Sequence, residues 1–286
     1  MSIDIKLISE VRDLTGAGIV DVKNALAEAN GDKEKSIEIL RKKGIAKAAK
    51  RAGKVAAEGL TAVKVAGSKA VIVELNSETD FAAKSDKFKA LLAEVVEKVL
   101  AGQTVTEETL GEATASIGEK MVLRRATVVE KSGSEVFGAY IHMGGKISAL
   151  VVLTGPADEE MAKDVAMHVA AMNPRYVSRQ DVPAEILEKE KAIYTEQLKT
   201  QGKSPQMRDK PENIIQNILK GKLDKFYSEV CLLEQSFIKN EDVSVGKYLE
   251  SKGNGLGVKS ILRYEVGEGI EKASCDFAAE VAEQMK

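Results

Sequence analysis

Gly67 and Gly144 stand 77 positions apart in the same setting, and this repeated plan constrains the fold more than any other feature. In the first copy Thr61, Val63 and Val65 alternate with Ala62 and Lys64, Ala66-Gly67-Ser68 forms a turn, and AVIVEL (70–75) is apolar and β-branched. The polar stretch NSETDFAAK (76–84) follows, and Phe88, Leu91, Leu92, Val95, Val96 and Val99 then recur at helical spacing. In the second copy a strand-like run leads to Gly144-Gly145, an apolar strand ends at Leu153, and the loop TGPADEEMA opens a helix. Lys69 corresponds to Lys146. Period-2 alternation punctuated by glycine and followed by 3.6-residue periodicity reads as strand, turn, strand, loop, helix. A chain that does this twice is α+β, with two repeated subdomains whose antiparallel sheets are covered on one face by helices.

The copies differ where strand gives way to helix. Asn76, Ser77 and Asp80 are ordinary turn residues and account for a chain leaving a sheet after Leu75. They do not account for Phe81, because the second loop manages without an aromatic. Phe81 is thus either a core residue folding back or a ring presented outward beside the Asp80 carboxylate.

The chain ahead of the first copy is helical. Leu7, Ile8, Val11 and Leu14 give one stripe, ended by Thr15-Gly16-Ala17-Gly18; Val22, Ala25, Leu26 and Ala29 give a second. Asn30-Gly31 closes it, and Asp32 can cap a third helix with Ile37 and Leu40 inside. Helices this short are unstable alone, so the three are expected to pack as one module. The stretch after Gly44 reads as a further helix or linker, stopping near Gly53.

Further on, 179–228 carries two amphipathic helices around a Gly202 to Pro211 break, with Leu187, Tyr194 and Leu198 in one and Ile214, Ile218, Leu219 and Phe226 in the other. Such a helical hairpin either folds back on its own domain or pairs with a second subunit. VKSILRYEVGEG returns to strand character, and CDFAAEVAEQMK ends the chain as a helix. The expected domains are 1–54 (three-helix module and basic linker), 55–140 (first core subdomain), 141–178 with 229–264 (second), 179–228 (inserted hairpin) and 265–286 (C-terminal module).

The chemical inventory argues against an enzyme. His142 and His168 are the two histidines, and neither has a cysteine or acid at metal-ligand spacing. No GxSxG, HExxH or CxxC occurs. Gln201-Gly202-Lys203-Ser204 lacks the earlier glycine of a phosphate loop, since position 197 is Gln. Cys231 and Cys275 imply no disulfide framework, and neither a signal peptide nor a membrane-spanning run is present, so the expected location is cytoplasmic. No cofactor or metal is called for.

Charge is unevenly spread. RKKGIAKAAKRAGK (41–54) holds seven basic residues and no acid, whereas acids dominate from Glu265 to Lys286. The basic run admits a ribosome- or nucleic-acid-associated binding protein as the alternative reading. The formal net charge of −2 and the lack of interleaved aromatics weigh against direct nucleic-acid binding.

Several blocks in order resemble one family. LTGAGIVDVKNALAEANGDKEKSIEILRKKG is similar to the N-terminal, ubiquitin-associated-like (UBA-like) module of bacterial elongation factor Ts. NSETDFAAK resembles that family's signature loop, and IGEKMVLRR and RYEVGEGIEK…DFAAEVA resemble its other blocks, over about Ile5 to Val281. The resemblance implies a translation elongation factor acting as guanine-nucleotide exchange factor for the GTPase elongation factor Tu, by disturbing its Mg²⁺ and phosphate site. It implies a dislocating loop of Thr79, Asp80, Phe81, Ala82, Ala83 and Lys84, with Phe81 intruding and Asp80 fixing the loop by hydrogen bonds. It further implies contacts from Arg12, Ile19 and Val20 of the first module and from Ile117, Gly118 and His142 of the core. The hairpin resembles the family's dimerisation or coiled-coil segment, which admits a homodimer through it. A ubiquitin-like-binding adaptor would use the first module but leave the repeated copies unexplained.

Overall fold

The computed structural model describes residues 4–201 and 212–271. The Gly202 to Pro211 break, Cys275, the closing helix and most of the expected 265–286 module lie outside the described residues. The chain divides into two compact units, one of Met1–Val129 with Met143–Ile147 and the chain from Tyr264 onward, the other of Glu130–His142 with Ser148–Arg263.

The first unit opens with α1 (Ile5–Thr15), α2 (Ile19–Glu28) and α3 (Lys33–Lys50). Asp4 caps α1 through the Lys6 N–H at 2.9 Å, and Asp32 caps α3 through the Lys35 N–H at 3.0 Å. Val11, Val22, Ala25 and Leu26 are fully buried between them, with Ile8 and Leu40 at the margin. Full burial of each large apolar side chain contributes about 1.5–3 kcal/mol, and this sum rather than helix propensity holds so small a module. Instead of stopping near Gly44 and resuming, α3 runs unbroken through it. A Cβ at Gly44 would lie 2.8 Å from that of Ala115, so the glycine serves close helix packing rather than a break.

Next come β1 (Glu58–Ala66) and β2 (Lys69–Ser77), an antiparallel hairpin in register from Glu58↔Ser77 to Ala66↔Lys69. The strand does not end at Leu75: Asn76 and Ser77 are buried and paired across to Gly59 and Glu58. Asn76 stays in the sheet because its Nδ2 donates to the Glu58 carbonyl and the Glu74 carboxylate, both at 3.1 Å. The chain continues through α4 (Asp80–Lys84), α5 (Asp86–Leu100), α6 (Glu107–Ile117) and β3 (Val122–Glu130), and β2 is the central strand of the order β1-β2-β3. Phe88, Leu91, Leu92, Val95 and Val96 of α5 pack on Val71, Val73 and Leu75 of β2.

Glu74 lies in that central strand with its side chain 0% exposed. It is gripped by Arg124 Nη1 at 3.0 Å, Arg125 Nε at 2.6 Å and the Gly267 N–H at 2.8 Å. Burial alone would push its carboxyl up. The Gly267 N–H, the two guanidinium groups and Asn76 outweigh that and hold it below the ordinary glutamate value. The chain beyond Tyr264 is thereby tied to the first sheet, and Arg125 also stacks over the Tyr264 ring at 4.2 Å.

The second unit repeats the plan with β4 (Val136–His142), β5 (Ile147–Thr154) and α7 (Glu159–Met172). It inserts α8 (Ala184–Gln201) and α9 (Glu212–Val230), then β6 (Ser236–Phe237), β7 (Asn240–Ser244), α10 (Val245–Lys252) and β8 (Gly257–Glu265). β5 is central in the order β4-β5-β8. Its core is built from Leu150, Val151, Val152 and Leu153 with Val165 and Val169. The foot of the helical hairpin folds onto its own unit, where Phe226, Val182 and Cys231 are buried with Tyr176, Ile186 and Tyr194 against them. The fold class is α+β with antiparallel strand pairing.

Candidate functional site

Residues 78–85 leave β2 as a tight corner rather than an open loop. Thr79 caps α4, its Oγ1 accepting the Ala82 N–H at 3.2 Å, and Ser77 Oγ donates to the Thr79 carbonyl at 2.9 Å. Ser85 ends this turn and starts the next helix, donating from Oγ to the Ala82 carbonyl at 2.7 Å and accepting from the Phe88 N–H at 3.2 Å. One helical turn has no independent stability, so the caps and the burial of Ala82 and Ala83 hold it. These two alanines therefore anchor the corner from inside and present no surface to a partner.

Phe81 points outward. Its side chain is 80% exposed, and its neighbouring charge is the Lys84 ammonium 5.8 Å from the ring centre. An aromatic ring left in water forgoes stabilisation that folding could have taken, so Phe81 is not a core residue folding back. Asp80 pairs with Lys84 at 2.6 Å. The hydrogen bond from Lys84 holds its carboxyl below the ordinary aspartate value, with Lys146 adding attraction. In the unbound chain Asp80 does not fix the corner to the rest of the unit; Thr79 does so.

The other expected residues of the first unit lie on α1, on α2 and at the end of α6. Arg12, Ile19 and Val20 are exposed on α1 and α2, Val20 at 70%. Lys87 Nζ joins this module to the end of α6, donating to the Gly16 carbonyl at 2.9 Å and to Ser116 Oγ at 3.0 Å. Ile117 is half-buried against the core cluster, and Gly118 is exposed in the left-handed conformation (φ 89°) that ends α6. Glu119 then reaches Thr79, so the 117–119 block and the Phe81 corner meet directly.

In the second unit His142 ends β4, exposed, with its ring stacked on Tyr140 at 6.0 Å between centroids. The next residue went unnoticed in the sequence. Met143 adopts φ 47°, unusual for a non-glycine residue, and its side chain is 72% exposed. Two glycines after a methionine in a hairpin turn were the available signal. His168 is no surface residue: it is wholly buried, and its Nδ1 accepts the Ile238 N–H at 3.2 Å while Nε2 meets Gln235 Oε1 at 3.0 Å.

Four of the basic residues in the run are engaged in intramolecular ion pairs. Arg41 pairs with Glu108 and Glu112, Lys42 with Glu38, Lys43 with Glu28 and Arg51 with Glu78. Among the described residues no cluster of histidine, cysteine and acid could hold a metal, and no helix is long and apolar enough to cross a membrane. Cys231 is buried, and its thiol is pushed up to about 11 by burial and by nearby Glu234. That makes it a poor nucleophile.

Comparison with known protein families gives one match, to the model described as elongation factor TS, over residues 78–268. The matched span starts at the Phe81 corner, just after β1 and β2, and runs through the whole second copy of the plan to the turn beyond β8.

Proposed function

The chain belongs to the elongation factor Ts family and so has a role in translation elongation; on that premise we propose that it is a guanine-nucleotide exchange factor for elongation factor Tu. It binds the GDP-loaded GTPase, disturbs the Mg²⁺ and phosphate site, and lets GDP leave. No covalent step is involved. By linkage, a protein that weakens GDP binding must itself bind more tightly to the nucleotide-free GTPase. Because GDP is held by Mg²⁺ on its phosphate oxygens and by surrounding backbone donors, moving the elements that carry them releases both together.

The observation that carries this reading is the outward Phe81 ring, 80% exposed on a capped turn that is itself pinned to the unit. An exposed ring on a rigid mount can enter an apolar pocket of a partner at little cost in ordering. Arg12, Ile19 and Val20 of the UBA-like module, with Ile117, Gly118 and Met143, extend the contact on the first unit, and His142 supplies a contact from the second. Cytoplasmic location follows from the role in translation. The exposed Ile193 and Ile214 of the helical hairpin are the surface through which a homodimer would form, and sedimentation of the purified chain tests that part.

Release of fluorescent GDP from purified elongation factor Tu is the deciding measurement. The full chain should accelerate it, and Phe81→Ala should cut the acceleration roughly 30-fold, as loss of an aromatic anchor does. A chain that leaves the release rate at its spontaneous value would sink the reading.

A further inference from the structure

Phe81 is not part of the core cluster, and its neighbour Lys84 belongs to the same turn, so its direction follows the backbone of α4. That backbone is held at Thr79, and Thr79 is held by Glu119. The Glu119 carboxylate takes the Thr79 N–H on Oε2 at 2.9 Å and the Thr79 hydroxyl on Oε1 at 2.7 Å. With its proton committed to Glu119, the hydroxyl turns a lone pair to the Ala82 N–H at 3.2 Å. One side chain thus fixes both the entry of the turn and the rotamer of its cap.

The clasp is reciprocal. Lys120, the next residue, donates its N–H to Glu78 Oε1 at 2.7 Å, and Glu78 precedes Thr79. Two adjacent residues on each segment exchange carboxylate for backbone N–H. Glu78 also receives Arg51 at 2.8 and 2.9 Å, and Lys120 Nζ donates to the carbonyls of Ala52 at 2.6 Å and Lys54 at 3.0 Å. The segment that follows α3 is therefore fastened at the same station. Glu119 itself is aimed by the left-handed Gly118 that ends α6.

We propose that Glu119 is a positioning residue for nucleotide exchange, which acts through Thr79 to hold Phe81 in the attitude that enters the GTPase. The proposal rests on the exchange-factor reading. It separates two tasks: Phe81 touches the partner, and Glu119 removes the freedom that the ring would otherwise have to lose after docking, before it enters the GTPase. Losing Glu119 therefore lowers the productive fraction of complexes formed rather than their number.

The test follows GDP release from elongation factor Tu at increasing concentrations of the full chain. Glu119→Ala should lower the maximal accelerated rate about tenfold, the scale of a charged hydrogen bond lost. The half-saturating concentration should stay within about twofold, because the contact surface is intact. Glu119→Gln, which keeps one acceptor oxygen, should fall between. In a Phe81→Ala background Glu119→Ala should add almost nothing, since no ring remains to aim. A wild-type maximal rate for Glu119→Ala, or the same tenfold loss on top of Phe81→Ala, would overturn the proposal while leaving the exchange reading standing. If Glu119→Ala melts early, the cap pair decides: Thr79→Ser should keep the rate and Thr79→Val should lose it, and equal rates would overturn the proposal. Faster amide hydrogen exchange at Ala82 in Glu119→Gln supports the clasp without reference to activity. A wild-type chain that accelerates nothing breaks the exchange reading, and the positioning role with it, before any variant is compared.

Discussion

The two strand-to-helix junctions start from similar apolar central strands and solve the same problem differently. After β5 the chain passes through 155–158, Asp158 caps α7 by accepting the Met161 N–H at 2.7 Å, and the helix begins. After β2 the chain inserts α4 before α5, with a second cap at Ser85. The second junction shows how little is needed to turn a strand into a helix. Whatever the first junction adds beyond that serves something other than chain reversal, and what it adds is a fixed platform with Phe81 on its outer side.

The units also differ in how their central strands are secured, and the largest expected effect tests that difference. β5 presents an uninterrupted apolar run from Ala149 to Leu153, whereas β2 places Glu74 among its apolar residues and satisfies it with Arg124, Arg125 and Gly267. Glu74→Ala leaves the partly buried Arg124 without a carboxylate and Arg125 with Glu268 alone. It should cost about 3–5 kcal/mol in denaturant unfolding, the cost of breaking rather than replacing a buried pair. The loss should be accompanied by proteolytic release of the chain beyond Tyr264, which the same carboxylate holds. A midpoint unchanged from wild type would show that the cluster does not secure the first sheet.

The matching change in the second unit is smaller. Leu150→Ala in β5 removes a fully buried side chain from a close-packed face and should cost about 3 kcal/mol, mostly as transfer and cavity energy. Unlike Glu74→Ala, it should leave the release of the terminal segment untouched. Equal proteolysis in both variants would mean that the two units unfold as one.

These contrasts mark what the sequence could and could not disclose. The repeat, the first three helices and the hairpin turns follow from local periodicity and turn chemistry, because neighbouring residues decide them. AVIVEL gives no sign that Glu74 is buried, since a lone acid in an apolar run reads as outward-facing and its partners lie 50, 51 and 193 residues away. α4 is one turn long, too short to carry a period, and is stabilised by Glu119, which local pattern cannot connect to it. α6 and α10 are weakly patterned and received no element. Phe81 could be singled out because the second copy lacks it, but its exposure is a three-dimensional fact. Asp80 bonds within the turn, to Lys84, while the tie to Glu119 runs through Thr79, whose hydroxyl reads locally as an ordinary cap.

A pH dependence separates the units further. His168 is fully buried on α7, and burial pushes its pKa below the ordinary histidine value, only partly offset by the Gln235 hydrogen bond. The neutral ring fits its surroundings: Nδ1 accepts from the Ile238 N–H, leaving Nε2–H for Gln235 Oε1. One turn earlier Asp164 is occupied by Lys239 at 2.5 Å. Below pH 6.5 the unfolded chain binds a proton that the folded chain resists, so stability is full above 6.5 and declines as pH falls toward the folded value. The slope for one proton is at most about 1.4 kcal/mol per pH unit. His168→Gln should flatten this slope between pH 7 and 5 in urea unfolding. An unchanged slope would place the titrating group elsewhere.

The smallest expected effect on stability bears most directly on the comparison between the junctions. If α4 is a platform for Phe81 and not a device for turning the chain, the ring owes nothing to the fold. Phe81→Ala should then move the unfolding free energy by no more than about 0.5 kcal/mol, the range of surface substitutions. Asp80→Asn should leave the midpoint in place, since the Asp80–Lys84 pair is exposed and the cap belongs to Thr79. Thermal and urea unfolding of both variants measure this alongside GDP release. A destabilised Phe81→Ala chain would make the ring a structural residue of the first junction, and the contrast with the second would reduce to two ways of packing one corner. An unchanged midpoint with lost exchange separates the ring from the fold and leaves its partner as the reason it is there.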